Sequence, residues 1–134
     1  MTTWLMGHYQ VWKAAVAGAA VTDHLDSYDF SDINVTFAGG WGGPLWRSPF
    51  DRMAREQSPI SYIAQMRTPT LILSNTGDVR VPVVESYKLY RGLKDRGVPV
   101  KFVAYPVPGH FPGDPVRIRD VYRRWLAWFE EHLR

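Results

Sequence analysis

From Pro69 to the C-terminus the hydrophobic period changes three times, each change marked by proline, glycine or aspartate, and this restricts the fold more than any other feature of the chain. Thr70-Leu71-Ile72-Leu73 is a continuous apolar run of strand length, followed by Asn75-Thr76-Gly77-Asp78,. Pro82 opens a segment with Val84, Tyr87, Leu89, Tyr90 and Leu93 at helical steps, which Gly97 closes. The missing N–H of proline costs nothing at a helix start, and glycine readily takes the left-handed conformation past a helix end. Val100-Lys101-Phe102-Val103-Ala104-Tyr105 alternates as a strand does and runs into Pro106-Val107-Pro108-Gly109-His110. Asp114-Pro115 then caps and opens a last helix with the apolar stripe Ile118, Val121, Tyr122, Trp125, Trp128, Phe129 and Leu133,.

The first half is less regular. Residues 1–9 start abruptly in apolar material, Trp4, Leu5 and Met6, and read as the inside of a helix. Ala14-Ala15-Val16-Ala17, ending at Gly18, suits a strand buried between helices,. Residues 22–66 are mixed. Asp23, Asp26, Asp29 and Asp32 recur every three residues, which predicts a polar helix face or capping loop, since calcium loops need tighter spacing,. Gly39-Gly40-Trp41-Gly42-Gly43-Pro44 lacks the Lys-Ser/Thr of a phosphate loop and is read as a turn that exposes Trp41,. Ser58 and Ser61 are read as helix caps,.

Strands that alternate with helices imply parallel crossovers and a sheet covered on both faces. The expected fold class is therefore α/β, with a small, mostly parallel sheet of about three strands flanked by helices. At 134 residues, 46% of them hydrophobic, the chain is expected to be one domain, residues 1–134,. With no cysteine, disulfides, Cys-based zinc sites and thiol catalysis are excluded,. The net charge of +3 owes much to Arg117, Arg119, Arg123, Arg124 and Arg134 in the last helix, beside Asp120, Glu130 and Glu131. That pattern reads as a solvated surface, and no nucleic-acid motif accompanies it. No apolar run reaches membrane-spanning length, and the N-terminus has no basic lead of a signal peptide,. The expectation is a soluble, cytoplasmic protein without metal or cofactor.

In open α/β sheets, chemistry gathers at the carboxyl ends of strands. Asp78 and His110 each come just after a strand, 32 residues apart, which leaves room for one helix and one strand between them. Both loops should open at the same edge of the sheet. That is the later part of an α/β-hydrolase triad, whose order is Ser, then Asp or Glu, then His.

The residues around the pair carry a longer pattern. Pro69-Thr70-Leu71-Ile72-Leu73, Gly77-Asp78-Val79-Arg80-Val81-Pro82, Ser86-Tyr87-Lys88-Leu89-Tyr90-Arg91-Gly92-Leu93-Lys94, Gly97-Val98-Pro99-Val100, Tyr105-Pro106 and Gly109-His110 succeed one another in order. The series resembles the C-terminal block of the prolyl oligopeptidase and acylaminoacyl peptidase family. The resemblance implies a partial α/β-hydrolase catalytic domain, with Asp78 as triad acid and His110 as triad base. It also reaches the first residues. Met1-Thr2-Thr3-Trp4-Leu5 resembles the end of the family's Gly-x-Ser-x-Gly-Gly-Tyr-Met motif and the start of its next helix, and Lys13-Ala14-Ala15-Val16-Ala17 resembles the strand after that helix. On that alignment the nucleophilic serine falls just before Met1. Ser74, at a strand end, lacks the strained elbow that presents such a hydroxyl, and no serine of the chain is assigned as nucleophile.

The resemblance implies hydrolysis of peptide or ester acyl bonds, with oligopeptides or acyl-peptides as substrates. It makes Val21, Leu25, Tyr28 and Trp41, after the first strand, candidates for the substrate pocket. The chain alone is expected to be inactive, and two other readings stand beside that one: an inactive interaction module, or half of an enzyme completed by another chain. The strand near Lys13–Ala17, left at a sheet edge, is expected to drive a homodimer or higher oligomer through residues 1–20.

Overall fold

A computed structural model describes all of residues 1–134. The elements are α1 (Thr2–His8), β1 (Ala15–Gly18), α2 (His24–Phe30), α3 (Asn34–Trp41), α4 (Phe50–Gln57), a 3-10 helix (Pro59–Gln65), β2 (Thr70–Gly77), α5 (Val83–Asp95), β3 (Val100–Pro108) and α6 (Pro115–His132). The strands form one parallel sheet in the order β1-β2-β3, with Ala15 opposite Thr70 and Thr70 opposite Val100. The predicted three-strand α/β architecture is the one observed.

β2 is the central strand, and Thr70 through Asn75 are all buried. This explains its unbroken apolar run, because a strand covered on both faces needs no polar side. Ile72 joins Met6, Ala15, Ala17, Met66, Leu89 and Leu93 on the face covered by α1, the 3-10 helix and α5. Leu71 and Leu73 point the other way, onto Tyr105 and Trp128 beneath α6. α6 starts as its sequence requires, with the Asp114 side chain accepting from the Arg117 N–H at 2.9 Å,. Tyr105 fixes α6 to β3 by donating to Asp120 at 2.8 Å. Burial, and then that hydrogen bond, push the Tyr105 phenol up to about 12, so it remains a donor,.

Several local expectations change. β2 and β3 extend to Gly77 and Pro108, because Asn75-Thr76-Gly77 pairs with β3 instead of leaving the sheet. The glycine-rich stretch is the end of a helix and not an isolated turn: α3 runs to Trp41 and Gly42 closes it in the left-handed region. Trp41 is half-buried with its ring 5.1 Å from His24, and the exposed tryptophans are Trp12 and Trp46. Ser58 and Ser61 do not cap the 3-10 helix with their side chains. The Ser58 hydroxyl accepts the His24 N–H at the start of α2 and donates to Ala54, while Ser61 donates to Arg55.

Three of the four aspartates in the series meet two cations. Asp23 caps α2 through the Leu25 N–H, and Lys88 sits 2.6 Å from Asp23 and 2.9 Å from Asp26. Asp32 pairs with Arg80 at 2.7 Å. Behind Lys88, the carboxylate of Glu85 is fully buried and accepts from the Thr22 N–H, the Asp23 N–H and the Ser27 hydroxyl. It ties α5 to the segment that leaves β1.

Candidate active site

The carboxyl ends of β2 and β3 are drawn together by a close backbone approach. Asn75 lies opposite Tyr105 and Gly77 opposite Pro108, so β3 carries one more residue than β2 over this interval. Such a bulge re-aims the chain beyond it. A Cβ on Gly77 would stand 3.0 Å from the Pro108 Cα and 3.1 Å from the Val107 carbonyl oxygen, so the approach requires glycine there. Gly109 has φ 83°, a conformation that an L side chain would strain, and its N–H donates to the Gly77 carbonyl at 3.3 Å,. The next residue is His110.

Asp78, one residue beyond β2, is buried. Its Oδ1 accepts the backbone N–H groups of Arg80 and Val81, both at 2.9 Å. Its own N–H donates to the Asn75 carbonyl at 3.3 Å. Oδ2 is thereby aimed at His110, whose Nδ1 lies 2.8 Å away. A carboxylate only accepts, so Nδ1 carries the proton and Nε2 presents its lone pair. Nε2 makes no hydrogen bond within the chain, and the His110 side chain is one-third exposed, at 33%. An imidazole oriented by a buried carboxylate and open at Nε2 can accept a proton there from a hydroxyl and hand it on to a leaving group, while the carboxylate stays ionised.

His110 opens onto an apolar pocket at the strand ends, shared with Ala19, Leu73, Tyr105, Phe111 and Trp125. The Phe111 ring packs edge-on against the imidazole, centroids 4.3 Å apart. Ala19 closes β1 at φ 41°, and its N–H donates to Leu73 at 2.8 Å. A non-glycine residue in that region is strained by about 1–2 kcal/mol, a cost that concentrates at functional sites. Ser74 lines the same pocket, but its hydroxyl donates to the Leu73 carbonyl at 2.8 Å and meets the Ser86 hydroxyl at 2.5 Å.

The four candidate pocket residues lie elsewhere. Val21, Leu25, Tyr28 and Trp41 are half-buried, and none of them lines the pocket beside His110. Val21 opens into a separate cavity with Met1, Trp4 and His24. Trp41 rests on His24, whose burial pushes the imidazole below its ordinary value. Sequence reasoning brought together Asp78 and His110, and missed Asn75 and Glu85. In the sequence the first only interrupts an apolar run and the second is one residue of a helix.

The profile of the prolyl oligopeptidase family matches residues 1–134. The chain belongs to the prolyl oligopeptidase family. Among curated members of that family, the acylamino-acid-releasing enzyme of Homo sapiens is 36% identical over 140 aligned residues, which cover 96% of this chain and 18% of the relative. An uncharacterized peptidase, YuxL of Bacillus subtilis, is 30% identical over 99% of this chain and 20% of its own length. Among solved structures, uncomplexed Pyrococcus horikoshii acylaminoacyl peptidase superposes with a TM-score of 0.87 at 26% identity, over 99% of this chain and 22% of that one. An acylaminoacyl peptidase in complex with Z-Gly-Gly-Phe-chloromethyl ketone superposes with a TM-score of 0.85 at 26% identity, over 97% of this chain and 21% of that one. The chain thus spans about a fifth of the length of these prolyl oligopeptidase family relatives.

Proposed function

We propose that residues 1–134 supply the acid and base of a serine peptidase, with Asp78 orienting His110 and His110 activating a serine hydroxyl from outside these residues. The observation that carries this reading is the 2.8 Å contact between Asp78 and His110 Nδ1, which leaves Nε2 free at the strand ends. The imidazole takes the serine proton as the hydroxyl attacks an acyl carbon, then returns it to the leaving amine. Water repeats the cycle to release the acyl group. The substrate class is acyl-peptides or short peptides, for which the acylamino-acid-releasing relatives and the peptidyl ketone bound by one of the solved structures give the motive. Val21, beside Met1 and Trp4, is the best of the four pocket candidates, since it lies next to the end of the chain where the nucleophile motif is expected.

No serine of the chain suits the nucleophile's role. Ser74 comes nearest, and its hydroxyl is already engaged. Residues 1–134 alone should therefore neither hydrolyse aminoacyl amides nor take up a fluorophosphonate probe. The DNA just before the codon for Met1 should encode Gly-x-Ser-x-Gly-Gly-Tyr in frame, or that motif should lie on a second chain that restores turnover on mixing. Stoichiometric labelling of residues 1–134, mapped to Ser74 or another of their own serines, would overturn the proposal.

A further inference from the structure

We propose that Asn75 is a positioning residue for His110, joining the two loops of the acid–base pair through one side chain and one carbonyl. The inference rests on the proposed roles of Asp78 and His110. Asn75 is 2% exposed, and its Nδ2 donates to the Gly109 carbonyl at 2.7 Å and approaches the Pro108 carbonyl at 3.5 Å. Both neighbours are acceptors only, which fixes the amide with its nitrogen toward the His110 loop. The same residue's backbone carbonyl accepts the Asp78 N–H at 3.3 Å. One residue of β2 therefore touches the backbone of the acid and the two residues before the base.

The geometry gives this contact a task. Beyond the bulge, the Gly109 N–H donates to the Gly77 carbonyl at the sheet's end. That bond holds the Gly109 N–H and leaves the direction of the Gly109 carbonyl to another contact. The Asn75 amide holds the carbonyl of Gly109 itself, the peptide unit that leads into His110, and so sets the direction in which the imidazole departs. The ring's own hydrogen bond within the chain is the one to Asp78. An alanine at position 75 would leave the Gly109 carbonyl without its side-chain donor. An aspartate has nearly the same shape but sets a carboxylate oxygen against two carbonyls.

The test uses residues 1–134 and proton NMR. The imidazole Nδ1–H bonded to Asp78 should give a low-field resonance, slowed in exchange with water. The variants Asn75→Ala and Asn75→Asp should lose that resonance while retaining the amide dispersion of a folded chain. The control Ser74→Ala, which removes a neighbouring buried hydroxyl and leaves the His110 loop alone, should retain it. Persistence of the resonance in either folded Asn75 variant overturns the role of Asn75. Its absence from the unmodified chain, or its retention in Asp78→Asn, overturns instead the pairing on which the inference rests. Unfolding of Ser74→Ala together with both Asn75 variants would mark this strand end as purely structural and would also overturn the role.

Discussion

One oxygen of Asp78 is consumed by the N–H groups of Arg80 and Val81, and the other faces His110 Nδ1 at 2.8 Å. The carboxylate is thus held by the backbone of its own turn, and it has a single direction in which to act. Replacement by asparagine keeps the size and one acceptor oxygen, but an amide nitrogen facing Nδ1 forces the proton to Nε2. In a protein that also carries the nucleophile, Asp78→Asn should lower kcat by about 10⁴-fold with little change in KM. Chromogenic acyl-peptide hydrolysis measures it.

Asp78→Ala should act on stability as well. It strands the buried Val81 N–H, at about 1–3 kcal/mol for a buried group left unsatisfied, and the part-buried Arg80 N–H at a smaller cost,. Urea unfolding should therefore place Asp78→Ala well below Asp78→Asn, which keeps an acceptor for both. Equal midpoints for the two variants would contradict the bonding of Oδ1 to the Arg80 and Val81 N–H groups.

Glu85 makes stability depend on pH in an unusual direction. Burial raises its carboxyl above the ordinary 4.5, against the opposing hydrogen bonds from Ser27, Thr22 and Asp23,. A group whose folded pKa is raised stabilises the fold fully below its unfolded value, and that contribution declines as pH rises through the folded value. Relative to Glu85→Gln, the unmodified chain should therefore lose stability as pH increases from about 4.5 toward neutrality. Urea midpoints for both proteins across that range measure the difference, and a constant or widening advantage for glutamate would contradict it.

The main features of this fold are written in the local order of the sequence. The run Thr70–Leu73 announces a strand covered on both faces, and Asp114-Pro115 announces the start of α6. Asp78 and His110 could be joined because the strand–helix–strand crossover puts their loops at one edge, a consequence of topology alone. The features that the sequence concealed depend on contacts between distant segments. Asn75 looks like a turn residue until the pairing of Gly77 with Pro108 shows that the strand continues past it. Glu85 looks like an ordinary helix residue, and only the return of residues 22–27 to α5 makes it the acceptor of three donors. Trp41 carries no mark in the sequence of its packing on His24.

The free edge of β1 predicts self-association of residues 1–134. β1 pairs with β2 on one side only, and Val11 and Trp12 just before it are 75% and 46% exposed. Unpaired N–H and C=O groups beside exposed apolar side chains favour pairing with a second copy. Light scattering at micromolar concentration should give a dimer or larger species that depends on residues 1–20. A monodisperse monomer would contradict this.

The central claim is that Asp78 holds His110 as a base with Nε2 available, and long-range ¹H–¹⁵N NMR of the His110 ring in residues 1–134 tests it most directly. At a pH where the ring is neutral, Nδ1 should be the protonated nitrogen and Nε2 bare, and Asp78→Asn should move the proton to Nε2. An Nε2–H ring in the unmodified chain, or the same tautomer with and without the Asp78 carboxylate, would contradict the account.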